Sequence, residues 1–318
     1  MRLATLSNGL PDGELVVVSR DARRCLSATG TLQQAVERWA EAEAALRLLA
    51  EKLEQGEGEP LDHSRLRAPL PRAWQWLDGS AFPQHGELMQ KAFHLPPIET
   101  DRPLMYQGLS DRFLSGTQDV PLPSEADGID FEGEFGIVTD AVPMGTSAAD
   151  ALAHVELVLL INDWSLRAIA PIEMKTGFGW VQAKPACSVA PFAVTPDELG
   201  EAWQDGRVHL PLEVQVNGQW FGCPNGGEMA FGFHELIAHA ARTRDLVAGM
   251  IIGSGTVSNA VYADVGSCCL SEHRAIEMIN SGEPQTPFLR FGDSVRVEVS
   301  EGPFGAIDQV VVRKPLSP

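Results

Sequence analysis

The chain of 318 residues carries 24 Lys and Arg against 43 Asp and Glu, a formal charge of −19. A field of that sign repels phosphate backbones and anionic lipid, so nucleic-acid and membrane partners are not expected and at most a local basic pocket is left open. Hydrophobic residues at 44 % and charged ones at 21 % are the balance of a globular chain, which excludes disorder as a whole.

No apolar run reaches the roughly 18 to 20 residues that a membrane-spanning helix needs. No apolar stretch follows Arg2, so a secretory signal is not expected. Five scattered cysteines, Cys25, Cys187, Cys223, Cys268 and Cys269, fit a reducing compartment better than a disulfide framework, and a cytoplasmic protein is expected. In chain order, residues 2–20 predict a hairpin turning through Ser7-Asn8-Gly9-Leu10-Pro11-Asp12-Gly13. Thr31 and Gln34 form a capping-box pattern ahead of Leu32, Ala35, Trp39, Ala42, Leu46 and Leu49, one face of a helix that Gly56 can end. The polar, Pro-rich stretch from Gly56 to Pro71 reads as a linker, dividing a small N-terminal domain, 1–75, from a main domain, 76–318.

The main segment is a series of short apolar runs separated by Gly, Pro and Asp. Strands are expected at Phe131–Val138, Val155–Ile161, Pro211–Val216, Gln219–Phe221 after the Asn217-Gly218 turn, Met250–Ile252, Val295–Val299 and Val310–Val312. Helices are expected after Ser147 and over His234 to Leu246. Strands and helices do not alternate regularly, so the expected fold class is α+β, mainly β, with a mixed, largely antiparallel sheet rather than a doubly wound parallel one.

In a strand, Glu132 and Glu134 share one face while Phe131, Phe135 and Ile137 take the other. Either that face is solvated, or the two carboxylates are buried and compensated by a hard divalent cation. Asp163 ends the apolar run Leu157-Val158-Leu159-Leu160-Ile161, where it can cap a helix or join such an ion. Lys184, in Gln182-Ala183-Lys184-Pro185, is either a surface lysine before a turn or the holder of an oxyanion or carboxylate. The Gly253-Ser254-Gly255-Thr256-Val257-Ser258 turn can present backbone N–H groups to an anion but has neither the P-loop nor the dinucleotide spacing. No Gly-x-Ser-x-Gly elbow supports acyl transfer to serine.

Together with Tyr106-Gln107-Gly108-Leu109-Ser110-Asp111, Asp130-Phe131-Glu132-Gly133-Glu134 and Asn162-Asp163-Trp164-Ser165-Leu166-Arg167, these segments resemble, in order, the fumarylacetoacetate hydrolase family, in particular its bacterial fumarylacetoacetase-like members, over roughly residues 80 to 310. The resemblance implies a rolled mixed β-sheet, a divalent metal (Mg²⁺ or Ca²⁺) and a homodimer. It places Asp111, Glu132, Glu134 and Asp163 on the metal, Lys184 in the active site, and Tyr106, Arg167, Gly255 and Thr256 on the substrate side. In animal fumarylacetoacetases a histidine follows the aspartate matching Asp111, whereas none stands here between Asp111 and His154; smaller acylpyruvase-like members carry a His-x-x-Glu pair on a lid, and the resemblance to it places the base at His85, with Glu87 as partner, at His-x-Glu spacing, and Glu272 as its rival. The implied activity is hydrolysis of a C–C bond in a 1,3-dicarbonyl acid, with 4-fumarylacetoacetate giving fumarate and acetoacetate in tyrosine degradation. The alternatives are a hydratase, isomerase or decarboxylase of 2-oxo acids on the same fold, or a non-catalytic dicarboxylate-binding protein.

Overall fold

The computed structural model describes residues 1–96 and 100–314. Arg2–Leu6 and Glu14–Val18 form the expected antiparallel hairpin, with Leu3 opposite Val17, and Arg24–Ser27 adds to its outer side. Thr31 accepts from the Gln34 N–H while the Gln34 side chain returns to the Thr31 N–H, the reciprocal cap expected from the sequence. The helix behind it is two helices, Leu32–Val36 and Trp39–Glu54, because Arg38 leaves helical dihedrals. Trp39, Leu46 and Leu53, seven apart, bury one stripe of the second, and Gly56 follows its end with a positive φ of 96°.

The stretch read as a linker is instead fixed to the sheet. Glu59–Pro60 pairs with Arg24–Ser27, and Leu61, Leu66 and Leu70 are buried, apolar contacts that a solvated connector would not make. Beyond it, Ala193–Val194 joins the N-terminal strands to Val155–Asn162, then follow Gly133–Thr139, Met250–Gly253, Trp76–Gly79 and Met105–Gly108. All belong to one twelve-stranded mixed sheet. A second sheet of five strands runs Gln219–Gly222, Glu213–Val216, Ser294–Glu298, Ala306–Arg313 and Val120–Leu122. Its hairpin turns at Asn217 and Gly218, both at positive φ as the Asn-Gly pair requires. The helix expected from His234 runs over Phe233–Ala240 and tightens into a 3₁₀ turn, Ala241–Thr243.

The central strand, Gly133–Thr139, is buried along its whole length. Phe135 and Ile137 enter one apolar core, and Val138 enters another on the opposite side of the sheet. Glu132 lies just ahead of this strand. There the chain leaves Ile129–Asp130, which pairs with Ser165–Leu166, and enters the main sheet. Asp163 caps no helix; it bridges Val155–Asn162 and that same short pair.

Candidate metal centre

Gly133 pairs with Asn162, and the Asp163 N–H donates to the Glu132 carbonyl at 2.9 Å, so the acids at the two strand ends face each other. On the other side of the central strand, Gly136 pairs with Gly253, and Gly253 is in parallel register with Asp78 of Trp76–Gly79. This register adds a carboxylate that sequence reasoning passed over. Asp78, Glu132, Glu134 and Asp163 each offer one oxygen, all within 4.8 Å of one another, and all four residues are buried. Asp78 was still visible as an isolated acid in the apolar stretch from Trp76 to Phe82.

Four acids in so small a volume cannot all stay ionised without a cation. Burial, and then the charge of Asp163, pushes the Asp78 carboxyl well above its usual range. Burial and the charge of Asp78 do the same to Glu134. Burial also acts on Glu132, but the Lys184 ammonium and Arg167 guanidinium outweigh it and hold that carboxyl low. Lys184 Nζ donates to Glu132 Oε2 and, at 2.7 Å, to Asp163 Oδ2. Neither oxygen of Glu134 has a donor. Buried acceptors without donors, in an all-oxygen set, are what a hard divalent cation satisfies, so the residues present fit one.

A second constellation stands beside the acids. His85 is on the helix Pro83–Phe93 and Glu272 is the third residue of Leu270–Ser281; the two helices pack together. His85 Nδ1 is 3.0 Å from Glu272 Oε2, and His85 lies near enough to Glu132 to bear on that carboxyl. Glu272 is fully buried, with its other oxygen unpartnered. Asp130 ties the two constellations together: it accepts from the Leu270 and Ser271 N–H groups at 2.7 and 2.9 Å and from Arg167 Nε at 2.8 Å, while the same guanidinium donates to Glu132. Tyr106, opposite Asp78 on the neighbouring strand, donates its hydroxyl to Asp163, and the Cys187 thiol is 2.9 Å from the other oxygen of that acid.

Of the residues expected at the site, Glu132, Glu134, Asp163, Lys184, Tyr106 and His85 are brought together. Asp111 is not: it is exposed, in the loop after Met105–Gly108, and Asp78 stands where it was expected. His85 follows Asp78 by seven residues. Glu87 is exposed while His85 is paired with Glu272, since positions two apart on a helix do not face each other. Arg167 is engaged by Asp130 and Glu132 instead of standing open. In the 254–257 turn, the Gly255 N–H donates to Asp78 Oδ1 at 3.0 Å, and those of Ser254 and Val257 donate to Phe135 and Gly133 carbonyls. Thr256 is buried at 5 % exposure.

Two family patterns match: "Fumarylacetoacetate (FAA) hydrolase C-terminal" over residues 75–312 and "Fumarylacetoacetase N-terminal domain 2" over residues 1–72. A 2,4-didehydro-3-deoxy-L-rhamnonate hydrolase of Sphingomonas sp. (strain SKA58) is 31 % identical over 182 residues, 54 % of this chain and 60 % of that protein. A mitochondrial oxaloacetate tautomerase of Rattus norvegicus is 26 % identical over 157 residues, 48 % of each chain. The chain thus spans 60 % and 48 % of the length of these two curated relatives. An oxaloacetate tautomerase of Bacillus subtilis (strain 168) is 23 % identical over 256 residues, 79 % of this chain and 74 % of the other. Among solved structures, a fumarylacetoacetate hydrolase from Exiguobacterium antarcticum superposes with a TM-score of 0.70 at 17 % identity, covering 99 % of this chain and 100 % of that one. The maleylpyruvate hydrolase of Sphingobium sp. SYK-6, in complex with manganese (II) and pyruvate, gives 0.67 at 16 % identity over 98 % and 99 %. These structures share the fold. Since the C-terminal pattern alone takes in well over half of the residues, the chain belongs to the fumarylacetoacetate hydrolase family.

Proposed function

We propose that the protein is a divalent-metal-dependent hydrolase that cleaves a C–C bond of a 1,3-dicarbonyl acid, with 4-fumarylacetoacetate, of tyrosine degradation, as the first substrate to test. The observation that carries this reading is the His85–Glu272 pair, at 3.0 Å, beside four buried acids. Asp78, Glu132, Glu134 and Asp163 would hold Mg²⁺ or Ca²⁺, which supplies Lewis-acid polarisation of the substrate's carbonyl oxygens. Glu272 fixes the imidazole orientation, and the ring takes a proton from water as the hydroxyl adds to the carbonyl carbon. When the C–C bond breaks, the acyl half leaves as an acid and the proton held by His85 passes to the carbon of the departing ketone half. Lys184, already between Glu132 and Asp163, carries positive charge to the developing oxyanion, and Thr256, next to the Gly255 whose N–H is held by Asp78, lines the substrate carboxylate.

The same pair can move a proton between carbon and oxygen without cleavage, and the tautomerase names of two relatives favour that as the second reading. Incubation of metal-loaded protein with fumarylacetoacetate or an acylpyruvate in H₂¹⁸O separates them by mass spectrometry. Hydrolysis puts one label into the acid product; keto and enol forms interconverting with no cleavage would overturn the hydrolase reading. Glu272→Gln should cut kcat by about 100-fold, the lower end of acid–base contributions, with metal affinity retained. A wild-type rate would move the base elsewhere.

All the candidate residues lie in the 76–318 segment, the proposed catalytic domain, of which residues 97–99 and 315–318 lie outside the described ones; the 1–75 segment is proposed as a small bracing domain. A cytoplasmic homodimer is proposed as the working form. Ile172, Met174, Phe178 and Val181, in the segment leading to Lys184, stand 61 to 97 % exposed, apolar side chains that a second copy would cover. Among the described residues no helix is long and apolar enough to cross a membrane.

A further inference from the structure

We propose that an open surface groove between the first hairpin and the 112–118 loop binds a small, multiply charged oxyanion, of the phosphomonoester or dicarboxylate kind. The groove measures about 360 Å³, and its lining includes Arg65, Arg67, Arg112, Ser64 and Thr117 and no carboxylate. In a chain with 43 acids against 24 bases, three arginines lining one groove that no carboxylate lines concentrate positive charge there.

The concavity is held from both sides. The Ser7 N–H donates to the Arg65 carbonyl at 2.8 Å, the Arg67 N–H to the Thr5 carbonyl at 3.0 Å, and Ser115 Oγ to the Leu66 carbonyl at 3.1 Å. Two of the guanidinium groups are also fixed in place by backbone carbonyls. Arg65 donates from Nε and Nη2 to the Ser7 carbonyl at 3.0 and 2.8 Å, and Arg67 donates from Nη1 to the carbonyls of Leu10 and Pro11 at 3.1 and 2.9 Å. Neutral carbonyls fix these planes but leave their charge. Among the described residues Arg67 and Arg112 make no ion pair, and Arg65 has only Glu14 at 3.7 Å. Arg112 is exposed in the groove and forms no side-chain hydrogen bond among those residues, so its fork is open to a ligand. A guanidinium matches carboxylate and phosphate oxygens two at a time, and Ser64 and Thr117 add hydroxyl donors. The volume exceeds that of the anion itself, leaving room for a small organic body.

The site shares no residue with the carboxylate cluster, so it stands or falls independently of the proposed catalysis. The test is isothermal titration of the full metal-loaded chain with sodium sulfate and, separately, sodium succinate, against sodium chloride of matched ionic strength. A saturable site that persists in Glu134→Gln is expected for sulfate or for succinate, and the stronger of the two at that site shows whether phosphomonoesters or dicarboxylates are the natural class. Arg112→Gln should weaken it about tenfold, and Arg112→Lys, which keeps a point charge but loses the fork, should weaken it less. Glu134→Gln should bind the anion as wild type does. Chloride-like, non-saturable heats would overturn the proposal. So would an affinity lost in Glu134→Gln but kept in Arg112→Gln, because the anion would then lie at the carboxylate site. A fall in melting temperature in Arg112→Gln with anion affinity unchanged would make the arginines a structural brace, and would also overturn it.

Discussion

Asp78 shows how much one residue decides. It completes the carboxylate set from a strand whose other side chains are apolar or absent, and it depends on the glycines around it. A Cβ at Gly253 would run into both Asp78 Oδ1 and the Trp76 ring, so only glycine lets the parallel strand approach closely enough to set the acid in place. Asp78→Asn removes one of the four proposed ligands and should weaken Mn²⁺ or Mg²⁺ binding by more than about 100-fold, above the usual effect of losing an outer-sphere partner. Asp111→Asn, at an exposed loop position, should bind metal as wild type does. Titration calorimetry on the pair checks both, and the reverse pattern would restore Asp111.

Whole elements carry these side chains, and their ends matter most. The helix Leu270–Ser281 starts on Asp130, which accepts two of its orphan N–H groups and also holds the guanidinium that contacts Glu132. Asp130→Asn keeps the shape but loses the charge, and should lower stability by about 2 kcal/mol, as expected for a charge-assisted hydrogen bond. Because Glu272 rides on this helix, kcat should fall in the same variant more than metal affinity does; equal losses would show a merely structural role. On the strand Val155–Asn162, Glu156 is half-buried, and burial first, then the charges of Asp140 and Glu43, lift its pKa from 4.5 to about 7. Below pH 4.5 both folded and unfolded chains hold the proton and nothing is lost. Between there and pH 7 the unfolded chain releases it first, so native stability declines, and the penalty is complete above the folded value. Glu156→Gln should therefore raise stability at pH 8 by about 1 kcal/mol, discounted for solvent screening, and leave it unchanged at pH 4. Melting curves at the two pH values check it; an equal gain at both would remove titration as the cause.

At the scale of the molecule, the sheet concentrates buried negative charge that the fold alone leaves only partly compensated. Four acids face a single ammonium and one guanidinium shared with Asp130. A cation that binds only the folded state adds about 2.7 kcal/mol at a hundred times its Kd, so saturating Mn²⁺ should raise the melting temperature and EDTA should reverse the gain. Glu134→Gln should abolish most of that increment. An identical rise in the variant would place the ion elsewhere.

What the sequence determined by itself was local. The Asn217-Gly218 hairpin, the Thr31–Gln34 cap, Glu132 and Glu134 two apart, and Asp163 at the end of an apolar run each follow from periodicity or turn chemistry over a few residues. The remaining choices were made by pairing across the chain. The contact of Trp76–Gly79 with Met250–Gly253 sets Asp78, and not Asp111, among the buried acids, and the packing of two helices pairs His85 with Glu272 and not Glu87. Register between strands more than 170 residues apart, and the direction a helix face takes against its neighbour, are set by what the whole core buries, and no short window of sequence contains that information.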